Sequence, residues 1–286
     1  ANFPLHCCVL ITDIIHRRAN IAGSLYRFSS GCKGQKMQKT AQLATNSREA
    51  RIKQYQQVRD GTECACRPLE TEDFVVQSMP DVSPIRWHLA HTTWFFEQFV
   101  LSAQSTDYRP FDPAYAALFN SYYNSIGEQF PRPRRGLLTR PTVEQVFQYR
   151  KEIDHRIERT LAKCDEATLE CCWPISELGL HHEQQHCELI YTDIKHVLSC
   201  NPLYPAYDGS ERERSSASET AAIALHWHDG PSGVQWIGHE GPGFAYDNES
   251  PRHQEFIAEH QVANRLTTNA EYLQFIENGG YHRPEL

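Results

Sequence analysis

The segment Leu180-His-His-Glu-Gln-Gln-His186 holds the densest group of chemically capable side chains. His182 and His186 are four residues apart, so on a helix they share a face about one turn apart. Two imidazoles so placed can bind one metal ion, while the adjacent His181 points elsewhere. The competing reading is a polar helix face whose histidines coordinate nothing. Taken literally, His182-Glu183-Gln184-Gln185-His186 also fits H-E-x-x-H, in which Glu183 would be the general base of a zinc protease. That reading needs a third ligand, and no H-x-x-G-x-x-H comes after His186. His196 lies on the same segment, but its spacing fits a different face.

A third histidine is offered by Trp87-His88-Leu-Ala-His91. Positions 87, 91, 94, 95 and 98 share one helical face, which puts His91 in a largely apolar stripe that should point inward. A single histidine on such a face is usually a satisfied core residue; two further candidates elsewhere strengthen the case for His91. His88, three residues away, is the reserve candidate. One imidazole from this helix and two from the later one would make a three-histidine facial site with positions left open for substrate and oxygen. Glu188 is a candidate to orient a ligand from behind. Cys187 lies within the histidine motif, and its plainer reading is a small buried hydrophobe.

These side chains need helices to carry them. Asn46 or Ser47 can cap a first helix running to about Arg59, just before Asp60-Gly61. Ser83 as N-cap with Pro84 at the first helical position predicts a second helix through about Leu101. Residues 104–141 lack a regular pattern and are rich in Pro, Tyr and Arg, the mark of a long connection with a functional role. Thr142-Val-Glu-Gln145 is a capping-box pattern opening a third helix through about Lys163. A fourth helix is expected from about Ile175 to Ser199, stopped by Asn201-Pro202. Four helices with long crossovers give a bundle, whose natural site is its core.

The texture changes near Pro205. Residues 208–224 are read as a linker, Ser-, Glu- and Arg-rich over most of their length. After it Gly230, Gly233, Gly238, Gly241 and Gly243 alternate with aromatic and β-branched residues, which predicts short strands and turns. A short helix is expected from about Asn269 to Glu277. A region of this size and texture is small for a core of its own, and it is read as the first part of a larger domain. The fold class is therefore α+β: a helical bundle over 44–207 and an incomplete second domain over 225–286.

At the other end, residues 1–36 hold Arg17, Arg18, Arg27, Lys33 and Lys36 against Asp13 alone. They are read as a leader, extending to about 43, that is foreign to the rest of the chain, with Met37 as the natural start. A targeting segment is the alternative. The chain as a whole has a formal charge of −8, which disfavours a nucleic-acid partner. No stretch approaches the roughly 20 apolar residues that span a bilayer. The 10 cysteines include adjacent pairs and a C-x-C but no C-x-x-C, so reduced thiols and a cytoplasmic location are expected.

Several blocks, taken in order, resemble one family. Ser83-Pro-Ile-Arg-Trp-His-Leu-Ala-His-Thr-Thr-Trp-Phe-Phe-Glu97 is similar to the first histidine motif in the DinB-like domain of ergothioneine-biosynthesis sulfoxide synthases. Leu118-Phe-Asn-Ser-Tyr-Tyr-Asn124 and Arg132-Pro-Arg-Arg-Gly-Leu-Leu-Thr-Arg-Pro141 are similar to the family's next blocks. Gly179 to Leu189, Thr192-Asp-Ile-Lys195 and Asn201 to Tyr207 resemble the family's second histidine helix and its exit. Gly241 to His253, Arg265 to Asn269 and Gly279-Gly-Tyr281 resemble the start of a sulfatase-modifying-factor-like domain of C-type-lectin-like fold.

The resemblance implies an Fe(II)- and O2-dependent enzyme that joins a cysteine-type thiol, γ-glutamylcysteine or cysteine, to hercynine and leaves a sulfoxide. It implies His91, His182 and His186 as iron ligands and Gln185 as a hydrogen-bond partner of the histidine-derived substrate. Arg132 and Arg135 fall where the family holds the thiol substrate's carboxylates. The family's redox tyrosine would lie past residue 286, so no catalytic residue is assigned. Rival readings are a synthase of ovothiol type using histidine and cysteine, a metal-dependent thiol transferase on the same bundle, and a fragment that binds without turnover.

Overall fold

A computed structural model of the chain describes residues 47–105, 107–121, 123, 126–208 and 223–286. The expected leader over 1–43 and residues 209–222 of the expected linker lie outside these. The chain divides into two compact units at residues 209/210.

The first unit is built on four long helices. Helix α1 (Arg48–Cys66) opens on Ser47, whose side chain accepts from the Ala50 N–H at 3.2 Å. It runs a further two turns past the expected stop at Asp60-Gly61. Thr62, Ala65 and Cys66 are buried there, and their packing overrides the roughly 1 kcal/mol that a helical glycine costs. Helix α2 (Ile85–Phe96) continues as a π-helical stretch over Glu97–Leu101, so it ends where expected. Its N-cap is Pro84 rather than Ser83. Ser83 is diverted into tertiary bonds: its N–H donates to Asp193 Oδ2 and its hydroxyl accepts from Arg135 Nη1, both at 2.9 Å.

Helix α3 (Val143–Lys163) begins with the expected Thr142/Gln145 capping box. Helix α4 (Glu166–Ser199) starts about nine residues earlier than the sequence suggests and runs straight through Pro174. Asp165 caps it by accepting from the Thr168 N–H at 2.8 Å. Its early turns are held by buried Leu169, Cys172 and Trp173, with Arg51 of α1 over the Trp173 ring. That packing outweighs the hydrogen bond lost at proline.

Helix α2 packs against both α3 and α4, and α1 packs against the same two, closing a four-helix bundle. Every residue of α2 from Ile85 to Phe96 is buried, so the helix has no solvent face at all. Gly179 marks the close approach of α4 to α2: a Cβ there would come within 2.7 Å of the Phe96 ring and 2.9 Å of the Phe95 ring. The long connection between α2 and α3 contains one helical turn at Tyr115–Leu118 and a 3-10 segment at Arg132–Leu137.

The second unit is smaller and of mixed type. β1 (Trp227–Asp229) pairs antiparallel with β4 (Gln261–Ala263), and β2 (Gly233–Ile237) with β3 (His253–Ile257), as two separate two-stranded sheets. Helix α5 (Asn269–Glu277) opens on a Thr268/Glu271 capping box. Gly280 is the one buried residue among 223–286. A helical unit followed by a small antiparallel region makes the chain α+β. No helix among the described residues is long and apolar enough to cross a membrane.

Candidate metal centre

The bundle core brings three histidines together. His91 of α2 and His182 and His186 of α4 are buried, and one ring nitrogen from each lies within 4.8 Å of the others. The ring centroids are 4.5 to 5.0 Å apart. The one-turn offset of residues 182 and 186 supplies two donors from α4, and the inward face of α2 supplies the third.

The hydrogen bonding of these rings is what sets them apart from ordinary core histidines. His91 Nδ1 meets the Phe119 carbonyl at 2.6 Å, so Nδ1 carries the proton. Its Nε2 has no hydrogen-bond partner, and neither nitrogen of His182 has one. Neutral His182 carries one N–H and one lone pair, so these positions offer two lone pairs, on His91 Nε2 and on one nitrogen of His182, which are costly when buried unless something accepts them. A divalent transition-metal ion does so, and three neutral nitrogen donors suit Fe(II), Zn(II) or Ni(II). The donor set therefore fits a metal ion.

Burial keeps the rings neutral and ready to ligate. It pushes His182 down to about 4, and it lowers His91 and His186 well below the usual histidine value, with the neighbouring histidines adding to the effect. Arg135 contributes to the depression of both His91 and His186.

Aromatic rings wall the site. Trp87 stacks on His91 at 4.5 Å and 13°, Trp94 lies near-parallel to it at 5.6 Å, and Phe95 sits 5.0 Å from His182. Beyond Trp87 the Arg135 guanidinium lies 3.3 Å from the indole centroid, a close cation–π stack. Its Nη1 and Nη2 donate to Ser83 and Ser121 hydroxyls at 2.9 and 3.0 Å.

The other candidates separate. Glu183 is not a general base at the metal position: its buried carboxylate accepts from Arg59 Nη1 at 2.7 Å and Arg150 Nη2 at 2.5 Å. Burial pushes its carboxyl up, but the two guanidiniums outweigh this and hold it below the usual range. The zinc-protease reading of H-E-x-x-H thus fails on geometry. His88 is not a reserve ligand. Its Nδ1 faces His186 Nδ1 at 2.8 Å and its Nε2 faces Asp193 Oδ2 at 2.9 Å. Glu188 is exposed, and the carboxylate behind the site is that of Asp193, seven residues after His186 and so on the same face of α4. His196 is turned away, bonded to the Ser78 hydroxyl at 2.7 Å. Cys187 is half-buried and outside the histidine group.

Gln185 is half-buried on α4, one residue before His186. Arg132 is half-buried and donates to the Asp81 carbonyl, while its charge is felt at His88. Two partners of the site, Asp193 and the Phe119 carbonyl, lie within the quoted sequence blocks but receive no role from sequence alone. The spacing of Asp193 from His186 is a usable signal. The Phe119 carbonyl gives none, because a backbone acceptor leaves no trace in residue type.

Residues 54–190 match the DinB superfamily, so the helical unit carries a DinB-like domain that includes all three histidines of the cluster. No curated protein matches the chain.

Proposed function

We propose that this DinB-like domain holds Fe(II) on His91, His182 and His186 and catalyses O2-dependent C–S bond formation between a cysteine-type thiol and hercynine. The observation that carries the reading is the set of unpartnered imidazole nitrogens converging in a buried aromatic core. The ordered sequence blocks around it, from Ser83 to Tyr207, supply the substrate class.

Bound Fe(II) would supply a Lewis acid for the thiol and electron transfer to O2. The chain's own residues do the rest. Three neutral imidazoles leave the charge of a divalent ion uncompensated, which favours a thiolate over a thiol beside it. Buried Arg135 adds positive potential from behind Trp87. Trp87 and Trp94 cover the faces of the His91 ring and Phe95 packs on His182, which shields the imidazoles from water. Gln185, next to His186 on α4, holds the histidine-derived substrate by hydrogen bonding. Half-buried Arg132 provides the cation for a carboxylate of the thiol substrate, while Arg135, held on Ser83 and Ser121, acts only through its charge.

The overall step balances without another reductant. One imidazole C–H and one S–H bond break, and a C–S bond forms. Sulfur takes one oxygen atom, and the other leaves as water with the two hydrogens. O2 accepts four electrons, two from the coupling and two from sulfur oxidation.

The test is turnover of the Fe(II)-loaded chain with hercynine and γ-glutamylcysteine or cysteine, following O2 uptake and product mass. A sulfoxide adduct formed only with O2 supports the reading. Thiol-dependent product formed equally without O2 would replace it with a metal-dependent thiol transferase. Preference for histidine over hercynine would move it to the ovothiol type.

A further inference from the structure

The contact between His88 and His186 joins two imidazole nitrogens, Nδ1 to Nδ1, at 2.8 Å. One of them must donate and the other accept. The far side of His88 settles which. Its Nε2 lies 2.9 Å from Asp193 Oδ2, and an ionised carboxylate only accepts. His88 therefore carries its proton on Nε2. In the neutral ring its Nδ1 is then a lone pair, so His186 must be the donor, from its own Nδ1. That leaves the lone pair of His186 on Nε2. Asp193 is itself fixed from a third direction by the Ser83 N–H, 2.9 Å from the same oxygen. All of these groups are buried.

We propose that Asp193 and His88 form a hydrogen-bonded relay that locks His186 in its Nδ1–H tautomer and aims Nε2 at the metal position. The inference rests on the reading that the three-histidine cluster binds a metal ion. His88 and Asp193 are positioning residues; neither touches the metal. His91 has a one-step equivalent in the Phe119 carbonyl, which does for its Nδ1–H what the relay does for that of His186. His182 has neither, since both its nitrogens are bare. The relay also ties the start of α2 to α4, so the aim of one ligand is coupled to the packing of the helix that carries another.

The test uses the full chain, Co(II) as optical probe, and three variants: His88→Gln, His88→Phe and Asp193→Asn. Glutamine can accept from His186 through its carbonyl and donate to Asp193 through its amide, so His88→Gln should bind Co(II) nearly as tightly as the unaltered chain. Phenylalanine keeps the ring and removes both bonds, and His88→Phe should bind about 10- to 100-fold more weakly, the usual scale for losing a ligand's outer partner. Asp193→Asn should fall between. Long-range proton–nitrogen NMR on the metal-free chain should show His186 protonated at Nδ1 and His88 at Nε2, with the His186 proton redistributed toward Nε2 in His88→Phe. Equal loss in folded His88→Gln and His88→Phe would overturn the relay, since ring shape alone would then explain it. Unchanged affinity in His88→Phe would overturn it as well. If His88→Phe does not fold, the NMR tautomers decide: Nε2–H on His186 overturns the proposal. A chain that binds no Co(II) at all would sink the metal reading, while the tautomers would still decide the relay.

Discussion

The two units handle their apolar side chains in opposite ways. In the helical unit Trp94, Phe95, Phe96, Tyr55, Tyr149 and Ile153 are fully buried. In the second unit Trp227, Trp236 and Val234 are more than half exposed, and Phe256 is 75% exposed. Fully burying a side chain of this kind contributes roughly 1.5 to 3 kcal/mol. The helical unit collects that contribution many times over; the described residues of the second unit collect almost none of it and are ordered by short ladders and a capped helix. A cluster of bare imidazoles with buried ion pairs around it needs a well-packed frame, since each uncompensated polar group costs stability. Among the described residues, only the helical unit has the packed core to set against such a site, and the candidate metal centre lies there.

The largest contrast should appear in hydrogen exchange on the whole chain. Core amides of α2 and α4 should be protected by factors of about 10³ or more over those of β1 to β4, because protection scales with the cost of opening. Equal protection in both units would break the comparison.

Inside the helical unit, Glu183→Ala removes the buried partner shared by Arg59 and Arg150 and leaves them only the less buried carboxylates of Asp154 and Glu63. A loss of about 3–5 kcal/mol is expected in urea unfolding. A loss under about 1 kcal/mol would mean that the network contributes little.

Acid should act on the metal-free chain through the same site. His182 has a folded value of about 4 against an ordinary 6.5, so between these the unfolded chain binds more protons than the folded one. Stability is therefore full above about pH 6.5 and is lost as pH falls toward 4. For His182 alone the loss is on the order of 3 kcal/mol, and His88, His91 and His186 shift in the same direction. Unfolding free energies at pH 7, 6 and 5 that stay level would contradict neutral burial of the cluster.

Gly179→Ala should cost about 1–3 kcal/mol, since the added methyl meets the Phe95 and Phe96 rings. Phe256→Ser, on an exposed strand position of the other unit, should change the helical unit's unfolding by less than about 0.5 kcal/mol. A larger effect would show that the two units depend on each other.

Much of the helical frame is legible in the sequence because its signals are local. Ser47, the Thr142/Gln145 box, the 182/186 spacing and the apolar stripe through His91 all act within a turn or two of themselves. The departures share a cause: distant packing overrides a local rule. Asp60-Gly61 reads as a stop and Ile175 as a start, yet α1 runs on past the one and α4 begins before the other because buried side chains hold those turns. Ser83 reads as a cap, yet Asp193 and Arg135 claim it. His88 reads as a spare ligand because spacing gives a side chain's helical face but not the partner, here Asp193, that claims it. The carboxylate behind the site can be sought at the right periodicity from His186, which favours Asp193; Glu188 is only nearer in sequence.

The central claim is that His91, His182 and His186 together hold one divalent metal ion. It is tested most directly by anaerobic Fe(II) titration of the full chain and of its His91→Ala and His182→Ala variants, each first shown to be folded. One tight site per chain is expected, abolished in both variants, with an optical change when a thiol is added. A folded chain with no stoichiometric site, or a site that survives either substitution, would contradict it.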